Sequence, residues 1–141
     1  MIKVETIGMA NVLKNNPVVV SANAVENYTF ITDNDIVYLV SNTVPGDEAY
    51  VDDYTIPAGD KLNCFQVDFW AGQNLIVDEK HIAYESNKDY DDIVAGTTIL
   101  TIDSNGKLAV AASAPESGIY FKVLEKVMLT EKAVKVLICV A

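Results

Sequence analysis

Short stretches of alternating apolar and polar residues cover most of this chain, and Gly, Pro, Asn and Asp punctuate them. Residues 18–20, 28–32, 36–41, 61–69, 75–78, 81–84, 97–102, 107–111, 119–127 and 134–140 read as strands. They are rich in Val, Ile, Tyr, Phe and Thr, which suit a pleated, half-buried surface. Only residues 22–27 suggest a helical turn. Strands this short and this evenly spaced predict an all-β fold: a small β-barrel or sandwich built from hairpins, with an extended N-terminal arm. The arm covers residues 1–16, and residues 17–141 form a single domain. Two long loops, 42–54 and 85–93, interrupt the strands, and loops of that length are often functional.

One hairpin can be placed in register. A three-residue connection through Ser104, Asn105 and a left-handed Gly106 pairs Ile102 with Leu108 and Leu100 with Val110, which puts the apolar partners on one face. A two-residue Asn105-Gly106 turn pairs Ile102 with Ala109 and splits the apolar residues between faces, so the longer turn is favoured. A second pattern occurs twice. Asp52, Ile56, Ala58 and Gly59 match Asp89, Ile93, Ala95 and Gly96 at one constant offset. In each copy an acidic loop runs into an Ile-x-Ala-Gly corner, with Pro57 suited to the second position of a turn. These read as two equivalent corners of one barrel.

Composition narrows the class. The chain has 141 residues, half of them apolar, which is enough for one domain with its own core. No apolar run approaches the ~18 residues of a membrane span, and the N-terminal residues lack the pattern of an export signal. A soluble protein made in a cytoplasm, with no membrane association, is the expectation. Twenty carboxylates stand against ten lysines, giving a net charge of −10, and there is no arginine. A negative chain without guanidinium forks is poorly suited to nucleic acid. The acid serves solubility or presents a face to a basic partner.

Candidate chemistry is sparse. His81 is the one histidine, and with two distant cysteines it makes no recognised zinc spacing and no nucleophilic triad. No catalytic, cofactor-binding or metal-ligating residue is assigned, and the chain is not read as an enzyme. Strand parity sets Cys64 with Gln66 and Asp68, away from the stripe Phe65, Val67 and Phe69. It sets Cys139 with Lys135 and Leu137, away from Val134, Val136, Ile138 and Val140. Both thiols are expected to stay reduced. Acidic groups at Asp33 and Asp35, at Asp52 and Asp53, and at Asp89, Asp91 and Asp92 are the best oxygen donors for a cation, although none has EF-hand spacing. Trp70 is expected to cap an end of the core. Tyr50, Tyr54, Trp70, Tyr84 and Tyr90 form a carbohydrate-binding row only if the loops bring them together.

The C-terminal third carries a further pattern. The corner Val94-Ala95-Gly96, the hairpin 102–108, the strand start Gly118-Ile119 and the terminal strand 134–140 follow one another closely. This order resembles the small β-barrel capsid decoration, or cement, proteins of tailed bacteriophages, over residues 92–141 and more loosely over 56–84. The resemblance implies a structural virion protein, made in the host bacterial cytoplasm, that binds the outer surface of an assembled capsid. It implies the major capsid protein as partner, a homo-oligomer (a trimer) on the shell, and no catalytic residues. The alternative is another virion or surface binding module, such as a tail or fibre component or a carbohydrate-binding β-sandwich.

Overall fold

The computed structural model describes residues 2–4, 18–42, 54–128 and 131–141. It is all-β, as the periodicity predicts: among the described residues the helical segments are single 3-10 turns at Val67–Trp70, Glu79–His81 and Tyr90–Asp92. In chain order the strands are β1 (Ile2–Val4), β2 (Val18–Val20), β3 (Val25–Glu26), β4 (Phe30–Asp33), β5 (Ile36–Val40), β6 (Thr55–Ile56) and β7 (Lys61–Gln66). They continue as β8 (Asn74–Asp78), β9 (Ile82–Ala83), β10 (Ile99–Ile102), β11 (Leu108–Ala111), β12 (Ile119–Met128) and β13 (Lys132–Val140).

The strands form three layers. A seven-stranded sheet, in the order β1-β8-β13-β12-β10-β11-β9, curls into a half-barrel. Cross-strand neighbours on its inner face line up as rows: Ile2, Val77 and Val134; Leu75, Val136 and Val123; Ile138, Phe121 and Leu100. All of these are buried in the main core. Burying each such side chain stabilises the fold by roughly 1.5–3 kcal/mol. A four-stranded sheet, β2-β7-β5-β4, covers this inner face with Phe30, Leu39 and Phe65, which oppose one another across its strands. Trp70 packs on Phe65 with ring centroids 5.3 Å apart, and Phe30 reaches Phe121 at 5.5 Å. The two-stranded ribbon β3-β6 forms the third layer, on the far side of the small sheet.

That third layer corrects the reading of Cys64. Leu62 and Cys64 are fully buried in a second core with Tyr38, Val40 and Ile56. Strands β5 and β7 are therefore covered on both faces, so the weaker stripe of β7 is as buried as the stronger one. Cys139 follows its parity, half-buried opposite Tyr120 and on the other face from Val136 and Ile138. Both cysteines are free thiols.

Other expectations shift locally. The strand expected at 61–69 ends at Gln66, and a 3-10 turn follows. Three residues per turn puts Val67 and Trp70 on the same, buried side and rotates Phe69 outward to 59% exposure. Residues 22–27 hold β3 instead of a helical turn. His81 lies in the 79–81 turn and not in a strand. Of the expected arm, only Ile2–Val4 is described; it pairs with β8, and Ile2 is buried in the core. The arm residues 5–16 lie outside the described residues.

The two Ile-x-Ala-Gly corners are alike in detail. Ile56 and Ile93 are both buried. Asp60 N–H donates to the Pro57 carbonyl and Thr97 N–H to the Val94 carbonyl, both at 3.2 Å, and each glycine has positive φ while the alanine before it does not. These are type II turns in which Pro57 and Val94 hold the first position, not the second. Asn34 and Asp35 both have positive φ between the paired residues Asp33 and Ile36, a two-residue type I′ hairpin turn.

The hairpin at Gly106 has the expected register, with Ile102 opposite Leu108 and Leu100 opposite Val110. Gly106 N–H donates to the Asp103 carbonyl at 3.1 Å and Asp103 N–H to the Lys107 carbonyl at 2.8 Å. The Asp103 carboxylate accepts from Asn105 N–H and Lys107 N–H. Leu100 and Leu108 are buried, whereas Val110, beyond the end of the core, is 45% exposed. The turn does more than reverse the chain. The Gly106 carbonyl accepts the Phe30 N–H at 2.9 Å, so the tip of a large-sheet hairpin sits on the edge of the small sheet. A bulge turns the small sheet towards it: Tyr28, at φ 59°, and Thr29 together oppose Val40.

Two substitutions separate close approach from backbone preference. Gly59 has φ +85° and open space around it, so Gly59→Ala should cost about 1 kcal/mol for its left-handed backbone alone. A Cβ at Gly106 collides with the Phe30 carbonyl oxygen and Thr29 Cγ2. Gly106→Ala should therefore cost about 3 kcal/mol or more. Chemical denaturation of both variants measures the difference; equal losses contradict the docking of the turn.

Candidate functional site

The residues singled out for chemistry are scattered. The His81 ring is half-buried against Tyr28, edge to face at 5.5 Å. Cys64 lies in the second core, and burial, reinforced by the charge of Asp33, pushes its thiol up to about 11. A thiol held protonated in this way is a poor nucleophile. Asp33 and Asp35 belong to the type I′ turn, and Asp52, Asp53 and Tyr50 lie outside the described residues. Among the described residues no group of three or more His, Cys, Asp or Glu side chains is placed to hold a metal. The aromatics that a carbohydrate binder would align form no exposed row among the described residues: Trp70 and Tyr90 are buried, and Tyr54 and Tyr84 are half-buried.

The acidic loop 85–93 is an ordered structure. Asp89 caps the 90–92 turn by accepting from Asp91 N–H at 2.9 Å, and Asp92 reaches back to accept from Asp89 N–H at 2.8 Å. This reciprocal capping box uses oxygens that the sequence reading offers to a cation. Tyr90, between them, is buried, and its hydroxyl donates to the Ala133 carbonyl at 2.8 Å. Two lysines of the β12–β13 hairpin flank its ring, Lys126 with Nζ 4.8 Å and Lys132 with Nζ 5.6 Å from the centroid. A bulge at Leu124 sets this up. Val123 opposes Val136 but Glu125 opposes Lys135, so Lys126 falls opposite Val134, on the strand face that also carries Lys132. The loop is thus pinned to the end of the longest hairpin.

Two hollows lie beside these elements. The larger, about 960 Å³, is an open cleft between the 103–107 turn, the edge strand β4 and residues 24–26. The smaller, about 320 Å³, lies between loop 85–93 and the end of β11, and is lined by Tyr84, Glu85, Lys88, Asp89, Asp92, Val110, Ala111 and Ala112. The parallel pairing of Ala83 with Ala109 brings Tyr84 to Val110. Lys88 lies 3.9 Å from Asp92 on its rim. The Tyr84 hydroxyl is buried and has no hydrogen-bond partner. Burial, then the charge of Glu79 and the neighbouring Tyr90 and Asp89, pushes its phenol up to about 12.

Tyr90→Phe should cost about 1–2 kcal/mol, because the buried Ala133 carbonyl loses its donor. A denaturant midpoint that falls with an unchanged m-value checks this. The raised groups also set an alkaline limb. Tyr84, Tyr90 and Cys64 all hold their protons more tightly folded than unfolded. Their contribution is whole below the unfolded values and is lost as pH rises through the folded ones. Stability measured against pH should therefore fall between about pH 9 and 12; a flat profile contradicts the burial of these groups.

Set against family models, curated proteins and solved structures, the chain matches none.

Proposed function

We propose that the chain is a structural virion protein that binds the outside of an assembled phage capsid and staples neighbouring subunits, with no catalytic role. What supports the reading is the order of elements in the C-terminal third, the part of the chain that resembles the decoration family. Residues 94–97 form a type II corner, 102–108 the three-residue hairpin, and Ile119–Met128 with Lys132–Val140 a long terminal hairpin. The strands of the two hairpins adjoin one another in a single sheet, in the order β13-β12-β10-β11. The ordered acidic loop at the end of that hairpin supports repeated surface contact, because its conformation is set before any partner arrives and little entropy is lost on docking.

On this reading the partner is the major capsid protein, the protein occupies the capsid surface, and it associates there as a trimer. Symmetric association lets individually weak contacts sum into firm attachment. Residues 5–16 would add a strand to a neighbouring subunit.

Co-sedimentation with undecorated capsids tests the proposal. The full chain should pellet with the shells at a fixed ratio. A variant with residues 5–16 replaced by Gly-Ser of equal length, which leaves Ile2–Val4 in its sheet, should pellet less. A full chain that stays in the supernatant overturns the capsid reading, and equal pelleting of both proteins overturns the role of the arm.

A further inference from the structure

The tip of the 102–108 hairpin holds a labile pair of residues at the point where the two sheets meet. Asn105 is followed by Gly106, and no other asparagine of the chain precedes a glycine. An asparagine side-chain amide is open to attack by the next main-chain nitrogen. That nitrogen is least crowded when its residue has no Cβ. Asn105 is exposed to water, while Gly106 is buried under the small sheet.

We infer that Asn105–Gly106 is a self-modification site, blocked while the turn is docked and converted once it lifts. The chemistry needs only water. The Gly106 nitrogen bonds to Asn105 Cγ, the Cγ–Nδ2 bond breaks, and ammonia leaves with the Gly106 amide proton. Water then opens the resulting succinimide. Opening at Cγ leaves an aspartate at this position. Opening at the main-chain carbonyl leaves an isoaspartate, whose main chain runs through Cβ. Either way one water is consumed, one ammonia is released, and nothing is oxidised or reduced.

The docked turn blocks the first step. Gly106 N–H donates to the Asp103 carbonyl at 3.1 Å, and neither Ser104 nor Asn105 has positive φ, so residues 103–106 form a type I turn. Asn105 holds its second central position, where ψ is about 0°. Ring closure needs the Gly106 nitrogen to eclipse Asn105 Cβ, which is a rotation of roughly 120° from the ψ of that turn position. The rotation breaks the Gly106–Asp103 hydrogen bond and swings the Gly106 carbonyl off Phe30 N–H. The Asp103 carboxylate resists it too, because it accepts from both Asn105 N–H and Lys107 N–H.

The isoaspartyl product cannot dock as before. Its main chain is longer by one C–C bond, about 1.5 Å. The added atom sits next to a glycine whose surroundings have no room even for a Cβ. The Gly106 carbonyl then loses its place on Phe30 N–H. Any event that lifts the small sheet off the turn therefore starts a conversion that keeps it lifted.

Incubating the full chain in mildly alkaline buffer, with and without denaturing guanidinium chloride, and mapping its peptides by mass and chromatography tests this. Residue 105 should convert at least roughly a hundredfold more slowly in the native protein, because the reaction waits for the turn to open. The isoaspartyl protein, once separated, should exchange its Phe30 amide at least roughly tenfold faster than the unmodified chain. Asn105→Asp, which has the same atoms on an ordinary main chain, should protect Phe30 as the unmodified chain does. Equal conversion rates with and without denaturant overturn the block. A Phe30 amide as protected in the isoaspartyl protein as in Asn105→Asp overturns the loss of docking. Neither result depends on capsid binding, so this inference and the capsid reading stand or fall separately.

Discussion

A backbone hydrogen bond, Phe30 N–H donating to the carbonyl of Gly106, fixes how the two main layers of this protein meet. The small sheet lies over a half-barrel whose inner face is apolar, and that burial alone does not fix where it sits. The hydrophobic effect is non-directional and proportional to area. The hydrogen bond, and the close approach that only a glycine permits at this tip, give the packing its direction. Phe30 is then held against Phe121, and Leu39 and Phe65 follow because they share its cross-strand row. The far face of the small sheet is left to β3-β6, which closes the second core over Cys64.

Much of the fold was legible where local rules are strict. The side-chain period of two forces the register at Gly106, because any slip sends apolar residues to the wrong face. The Ile-x-Ala-Gly corners were legible as corners, although the position of Pro57 within the turn was not, since proline tolerates either. Partnership between distant segments was less legible. Parity showed Cys64 opposite Phe65 but could not show that β3-β6 covers that side, since Val25 and Ile56 meet across thirty residues of sequence. Residues 61–69 alternate well enough for one strand, yet the chain turns at Val67, and the turn brings Trp70 back onto Phe65. Tyr28 in a left-handed bulge gave no signal, because glycine or asparagine is the usual residue there.

The candidate site divides the same way. Loop 85–93 stood out by its length and acid, and its aspartates were the best oxygen donors in the sequence without being assigned to a metal. The spacing of Asp89 and Asp92 is instead that of a capping box, and the buried Tyr90 between them is the anchor. The neighbouring pocket could not be foreseen. Tyr84 and Val110 meet only through the parallel pairing of β9 with β11, and nothing local announces a parallel pair. On the proposed reading the protein works through surfaces that the core positions, so the rigidity of the core decides whether the loop 85–93 is preformed.

Native-state hydrogen exchange tests that claim most directly. If the turn at Gly106 locks both sheets into one unit, the Phe30 amide should exchange only through global unfolding. Its opening free energy should equal those of Val123 and Ile138 and match the value from chemical denaturation. A Phe30 amide that opens several kcal/mol below Val123 and Ile138 would contradict the account, because the small sheet would then lift off independently.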